Sequence, residues 1–429
     1  MTDLTFETSW EQGTGVDPLE AATYGTLGIR LGAVSITEVH DDAARTTRKV
    51  IRVSAYPLAL WLASGWWRLR WEGPRRDTDW MLSHQLAGAG GGYVWPHVTF
   101  VSDGELIHVE VQRRARTEWE PVSYLNDMRT TVSASHFEAE VGAFIDTVLA
   151  RLAEIGHQNT ALSKLWSTVQ SERRDMRVAA SRRLEALLGF DAEEAPAELL
   201  SAYARGAETF GAEAVAEFAA TAANGTVPDW EALSKALDDG VAVRIREFQD
   251  SRSMASRAVR NLSYPWQRGE AAARAVREVI ATPGGPLTNE MMRDWMGADP
   301  AKEGTTFAAA AVARREQPDA PDLTICYRSK HQDGRRFEIA RLLGDHLIAA
   351  SPQDSLLPAT RAKTARQSLQ RAFAAELLLR WKDLAERVGD DPDDEVTETT
   401  AREFGVSPLV VRTRLVAKSR LSVDALDFD

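Results

Sequence analysis

The sequence predicts an α+β protein in three parts: a strand-containing, tryptophan-rich segment over 1–130, a helical region over 131–285, and a mixed α+β segment over 286–429. Three observations predict it. Eight of the 13 tryptophans fall between Trp10 and Trp119, which gives the first third a composition of its own. From Ser135 onward, apolar residues recur at helical spacing through several successive stretches. After Pro283-Gly284-Gly285-Pro286, the clearest break in the second half, short helical patterns flank two strand-like runs. At 429 residues the chain is too long for one small core.

Taken in order, "KVIRVSAYPLALWLASGWWRLRWEG" reads as short strands of β-branched and aromatic residues, punctuated by Pro57 and Gly65. "HVTFVSDGELIHVEVQ" reads as a hairpin turning at Ser102-Asp103-Gly104, with Leu106, His108 and Glu110 on one face and Ile107, Val109 and Val111 on the other. Ser135-x-x-Glu138 has the form of a capping box ahead of Phe137, Val141, Phe144, Val148, Leu152 and Ile155, with Gly156 closing the helix. Helical patterns continue through "TALSKLWSTVQSERRD", "MRVAASRRLEALLGF", "PAELLSAYARGAETF" and "GAEAVAEFAATAA" without a fixed period, so no solenoid is expected. "YPWQRGEAAARAVREVIATPGG" adds a further helix. The last third gives a short helix in "LTNEMMRDWMG", strands in "TTFAAAAVARR" and "PDLTICYRS", and a helix in "RRFEIARLLGDHLIAA". "RQSLQRAFAAELLLRWKDLAERV" follows as another helix, then an acidic loop and two short terminal helices.

Composition narrows the function classes. A net charge of -12 and a pI near 5.3 argue against a general nucleic-acid coat protein but leave room for a local basic patch. The single cysteine, Cys326, excludes a disulfide within the chain and, in a strand, reads as a packed thiol rather than a nucleophile. The opening residues lack the pattern of a signal peptide, and no run reaches the roughly 18 apolar residues of a membrane span, so a cytoplasmic location and no membrane partner are expected.

"RRFEIARLLGDHLIAA" has the rhythm of a metal-binding helix without its chemistry. A helix of the H-E-x-x-H type needs two imidazoles one turn apart and a carboxylate beside the first. Here Arg341, Leu342 and Asp345 stand at those positions. "GRRFEIARLLGDHL", "AFAAELLL" and "FGVSPLVVRTRL", in this order and spacing, resemble the ImmA/IrrE family of bacterial metallopeptidase-like proteins over the last third of the chain. Arg336, Phe337, Ala340 and Gly344 match that family's helix pattern. The resemblance implies a zincin-like α+β domain. It also implies that the first zinc histidine falls on Arg341, the general-base glutamate on Leu342, the second histidine on Asp345, and the third ligand near Gln367, give or take a turn. Guanidinium offers no lone pair to a metal and leucine takes no proton, so neither a metal nor another cofactor is expected.

His346 lies about 140° round the helix from Arg341 and about 100° from Asp345, which predicts a surface or interhelix histidine. His331, in the preceding loop, could reach the mouth of a pocket but leaves any metal site short of ligands. Arg341 and Asp345, at i and i+4, are placed to form an ion pair in the space of the missing ion, or else a solvated pair on an ordinary helix. Arg335 and Arg336, at a helix start, read as surface residues rather than an anion site, with Arg336, His331 and His346 as candidate neighbours of a pocket. Trp61, Trp66, Trp67 and Trp71, interleaved with Arg68 and Arg70, read as core covered by arginines, with a base-stacking platform as the alternative. "GAGGGYVWPH" lacks a phosphate-loop signature and reads as a connection. "SERRDMR" and "SRRLEALL" read as solvated charged faces, and Asp42, Glu118 and Glu120 form no acid/base pair. The segment around Gly405 and Ser407, followed by Arg412, Arg414, Lys418 and Arg420, has helix-turn-helix spacing.

The function these readings imply is that of a regulatory, phage-defence or toxin–antitoxin-associated pseudopeptidase acting on a partner protein, such as a repressor or defence component, or sensing a signal. An active metallopeptidase cleaving a repressor, and a DNA-binding regulator using the terminal helices, are the alternatives. The net charge does not favour the nucleic-acid partner.

Overall fold

A computed structural model describes residues 1–420 apart from 14–16, 42–43, 76, 114–121, 223–224, 318, 349–353 and 390–391. Asp42, Glu118 and Glu120 therefore lie outside the described residues. The architecture is mixed α+β and divides into two compact units, Met1–Leu200 and Ser201–Asp429.

In the first unit, strand Tyr24–Leu31 pairs antiparallel with Leu4–Trp10, Val34–Ser35 and Ile51–Ser54. A second sheet has Leu106–Gln112 between Met128–Ser133 and His97–Ser102. A third small sheet joins Thr46–Arg48, Val39–Asp41 and Val122–Tyr124. The predicted hairpin forms. Asp103 Oδ1 accepts the amides of Glu105 and Leu106, and Gly104 turns at φ +96, a conformation that glycine adopts without penalty. Ile107, Val109 and Val111 are buried, while His108 and Glu110 stay half-buried on the other face.

The expected strands after Ser54 are instead helices, Ala55–Ser64 and Trp66–Trp71. Ser54 caps the first by accepting the Tyr56 amide, and Pro57 sits in the first turn, where a missing N–H costs little. Eight of its ten residues are buried. A helix enclosed on all sides carries no polar stripe, so its aromatic and aliphatic letters imitate a strand. The long helix Ala134–Glu154 buries Phe137, Val141, Phe144, Val148 and Leu152 as their spacing predicts. Its cap is Ser133, two residues before the expected one, and Glu138 pairs with Arg70 and Arg173 instead of closing a box. Ile155 lies past the helix end and is exposed.

The second unit has one antiparallel sheet in the order Val241–Arg244, Asp322–Cys326, Ala311–Arg315, Leu356–Ala359. Its first strand comes from a stretch that reads as helical. Helices Pro265–Val279, Gln332–Ile348 and Ala365–Leu378 pack tightly together. A Cβ on Gly269 would lie 2.3 Å from the Leu369 carbonyl oxygen, and one on Gly344 would lie 2.6 Å from the Phe373 ring. Only hydrogen fits at those crossings. The expected long helix breaks at Leu379 and Arg380 and resumes as Trp381–Val388. Helices Asp394–Phe404 and Pro408–Ala417 meet at Gly405, whose φ of +59 makes the predicted turn. Among the described residues no helix is long and apolar enough to cross a membrane.

Candidate functional site

Helix Gln332–Ile348, hereafter the Arg341 helix, faces helix Ala365–Leu378, the Gln367 helix. Thr364 caps the latter through its hydroxyl, which accepts the Gln367 amide. Arg341 Nη2 donates to the Thr360 carbonyl at 2.7 Å and to Gln367 Oε1. That amide oxygen also accepts the Thr360 N–H at 3.0 Å, while Gln367 Nε2 donates to the Pro358 carbonyl at 2.9 Å. Two of the positions singled out in the sequence, Arg341 near the middle of its helix and Gln367 in the first turn of the other, are thus in direct contact.

The expected Arg341–Asp345 pair does not form. Asp345 is held by Arg366, with Nε to Oδ1 at 3.0 Å and Nη2 to Oδ2 at 2.7 Å. The i, i+4 spacing put Arg341 within reach, but Arg366 presents its fork across the helix pair, a geometry that matches a carboxylate with two parallel bonds. Arg366 also reaches Asp354 at 3.6 Å. Leu342, one step round the helix from Arg341, is fully buried in the hydrophobic core.

Electrostatically the site is unusual. Burial, reinforced by the nearby Arg371 guanidinium, pulls the Arg341 pKa down to about 9. Glu217, buried, accepts from the Thr364 hydroxyl at 2.8 Å, and burial holds its pKa above the usual glutamate value. Arg371 donates to the Ala362 carbonyl at 3.0 Å.

The remaining candidates settle in different ways. His346 is an interhelix histidine, stacked on Phe248 at 4.9 Å and bonded through Nε2 to the Ala320 carbonyl. Burial pushes its pKa down to about 4. His331 is exposed, and its backbone bonds to Ser329 and Arg335. Arg335 and Arg336 are buried, not on the surface. Arg336 donates to the Gly405 and Leu287 carbonyls and to Asn289, tying the helix start to the Gly405 turn. Arg335 donates to the carbonyls of Pro300, Ala301 and Lys330. A charged group buried this way is tolerable because its donors are filled.

Among the described residues no group of three or more histidine, cysteine, aspartate or glutamate side chains is placed to hold a metal ion. The residues between the two helices do not fit zinc: a guanidinium is a donor only, a carboxamide is a weak ligand, and both oxygens of Asp345 are taken by Arg366. Comparison with protein-family models, with curated proteins and with solved structures finds no match.

Elsewhere, Trp61, Trp66 and Trp67 are core residues, and Trp71 lies between Arg70 and Arg183 at 3.8 and 4.4 Å. No stacking platform is open there. The glycine run is a connection in which Gly90, Gly91 and Gly92 all take positive φ. Cys326 donates to the Ala236 carbonyl, and burial pushes its thiol up to about 11. "SERRDMR" is exposed as expected at every residue but Glu172, whereas "SRRLEALL" is largely buried: Arg182 bonds Glu172 and Glu185 at 2.6 and 2.8 Å, and Trp67 donates to Glu172. On the terminal helices Arg412 pairs with Asp394, buried Arg414 with Glu376, and Lys418 with Glu270. Those charges are neutralised within the chain, which leaves little for a nucleic-acid backbone.

Sequence reasoning missed Arg366, Arg371 and Glu217. Arg366 adjoins Gln367 and could have been weighed as the partner of Asp345. Glu217 carried no signal, since its stretch reads as an ordinary amphipathic helix.

Proposed function

We propose that the chain is a bacterial regulatory or defence-associated pseudopeptidase, in which a peptidase-like scaffold binds a partner protein, or senses a signal, without hydrolysing it. One observation supports this reading above the rest. Arg341 and Gln367, at the positions that the family resemblance assigns to a zinc histidine and a zinc glutamate, are hydrogen-bonded to each other between the two helices. A guanidinium thereby stands where the resembled family would hold its ion, and the neighbouring Leu342 cannot act as a general base.

The test is incubation of the purified chain with a candidate helix-turn-helix repressor, with and without added zinc, followed by size-exclusion chromatography and intact mass. An uncleaved one-to-one complex is the expected result. Zinc-dependent cleavage of the repressor would overturn the reading.

A further inference from the structure

Residues 360–364, Thr-Arg-Ala-Lys-Thr, join the last strand of the second unit's sheet to the Gln367 helix and gather more positive charge than the fold neutralises. Arg341 and Arg371 reach this loop from the two facing helices, bonding the carbonyls of Thr360 and Ala362, two residues apart. Neither makes an ion pair among the described residues. Arg341 is only 9 % exposed, yet its Nε has no hydrogen-bond partner. The Ala362 bond is the one hydrogen bond of the Arg371 side chain among the described residues. Arg361 and Lys363, on the loop itself, are exposed and unpaired among the described residues.

None of the nearby carboxylates hydrogen-bonds Arg341 or Arg371 among the described residues. Asp345 and Asp354 serve Arg366, while Glu217, on the Thr364 hydroxyl, and Glu338, on the amides of Arg328 and Ser329, act on these arginines only through space. Buried guanidinium N–H groups without acceptors are costly, and an incoming oxyanion would relieve that cost.

We propose that Arg341, Arg361, Lys363 and Arg371 form a binding site for the carboxylates of an acidic peptide segment. The assignment of that segment to a partner protein rests on the functional reading above. Carboxylates fit better than a single phosphate. A phosphate cradle draws on converging backbone amides. Here the amides of Thr360, Ala362 and Gln367 are already bound within the chain, to Gln367, Thr360 and Thr364 respectively. The side-chain cations are separate groups, two on the loop and two on the facing helices, suited to several spaced carboxylates.

The experiment is fluorescence anisotropy of a labelled hexaglutamate peptide titrated with the full chain at low salt, with inorganic phosphate as competitor. Saturable binding that weakens with added salt is expected. The exposed double variant Arg361→Gln/Lys363→Gln, with its fold checked by melting temperature, is expected to bind roughly tenfold more weakly. Glu217→Gln, which removes a buried carboxylate whose charge acts on Arg341 and Arg371, is expected to bind more tightly. No saturable binding, or unchanged affinity in the double variant, would overturn the proposal. Displacement of the peptide by equimolar phosphate would overturn the carboxylate assignment. Metal content and repressor cleavage are separate readouts, so failure here leaves the pseudopeptidase reading standing.

Discussion

Replacing Asp345 with asparagine removes the charge that holds Arg366 while leaving the side-chain volume nearly unchanged. The pair is well enclosed, with side-chain exposures of 3 % for Asp345 and 18 % for Arg366. Deleting one partner of a buried ion pair costs about 3–5 kcal/mol, because the survivor is left charged and desolvated. Arg366 keeps a longer contact to Asp354 at 3.6 Å, so the lower end applies, about 3 kcal/mol. For a unit of this size that corresponds to a melting temperature lower by about 6–12 °C. The assay is thermal denaturation of the full chain at neutral pH, followed by circular dichroism. A double-mutant cycle with Arg366→Gln then isolates the pair: the double variant should be less damaged than the sum of the singles by about 1–2 kcal/mol. A shift of less than about 2 °C for Asp345→Asn, or strictly additive variants, would refute the reasoning.

Three further outcomes are expected. His346 is buried and neutral, with its pKa at about 4 against an ordinary 6.5, so the unfolded chain takes up this proton first as pH falls. Its contribution to stability is present above 6.5 and declines between 6.5 and about 4, and His346→Gln should flatten denaturant-measured stability across that window. Gly344→Ala should destabilise by about 1–3 kcal/mol in denaturant melts, since the new methyl would meet the Phe373 ring at 2.6 Å, and Phe373→Leu should recover part of the loss. Cys326 should resist a thiol reagent at neutral pH and react only in denaturant, because it is fully buried and its thiol is pushed up to about 11.

What the sequence makes legible here is local. The Ser102–Gly104 hairpin, the Gly405 turn and the buried face of helix Ala134–Glu154 follow from turn chemistry and periodicity, which act over a few residues. Gly344 stood out as part of a motif, and the structure gives it a physical role as the gap into which Phe373 packs. Two kinds of feature escaped. Helix Ala55–Ser64 is enclosed on all sides, so it shows no periodic contrast to read. The buried arginines escaped for a different reason. Arg336 bonds carbonyls 49 and 69 residues away along the chain, and Arg341 bonds one 19 residues away, so nothing adjacent in sequence marks them as interior. The same holds for Asp345, whose partner is 21 residues distant rather than one helical turn. Charge placement at i, i+4 shows which pairs can meet, and tertiary packing chooses among them.

The most direct measurement of the central claim, that side chains rather than an ion occupy the space between the Arg341 and Gln367 helices, is elemental analysis of the purified chain paired with melting in chelator and in excess zinc. The account predicts zinc far below one ion per chain and a melting temperature that neither chelator nor zinc moves. Stoichiometric zinc, lost together with stability on chelation, would contradict it.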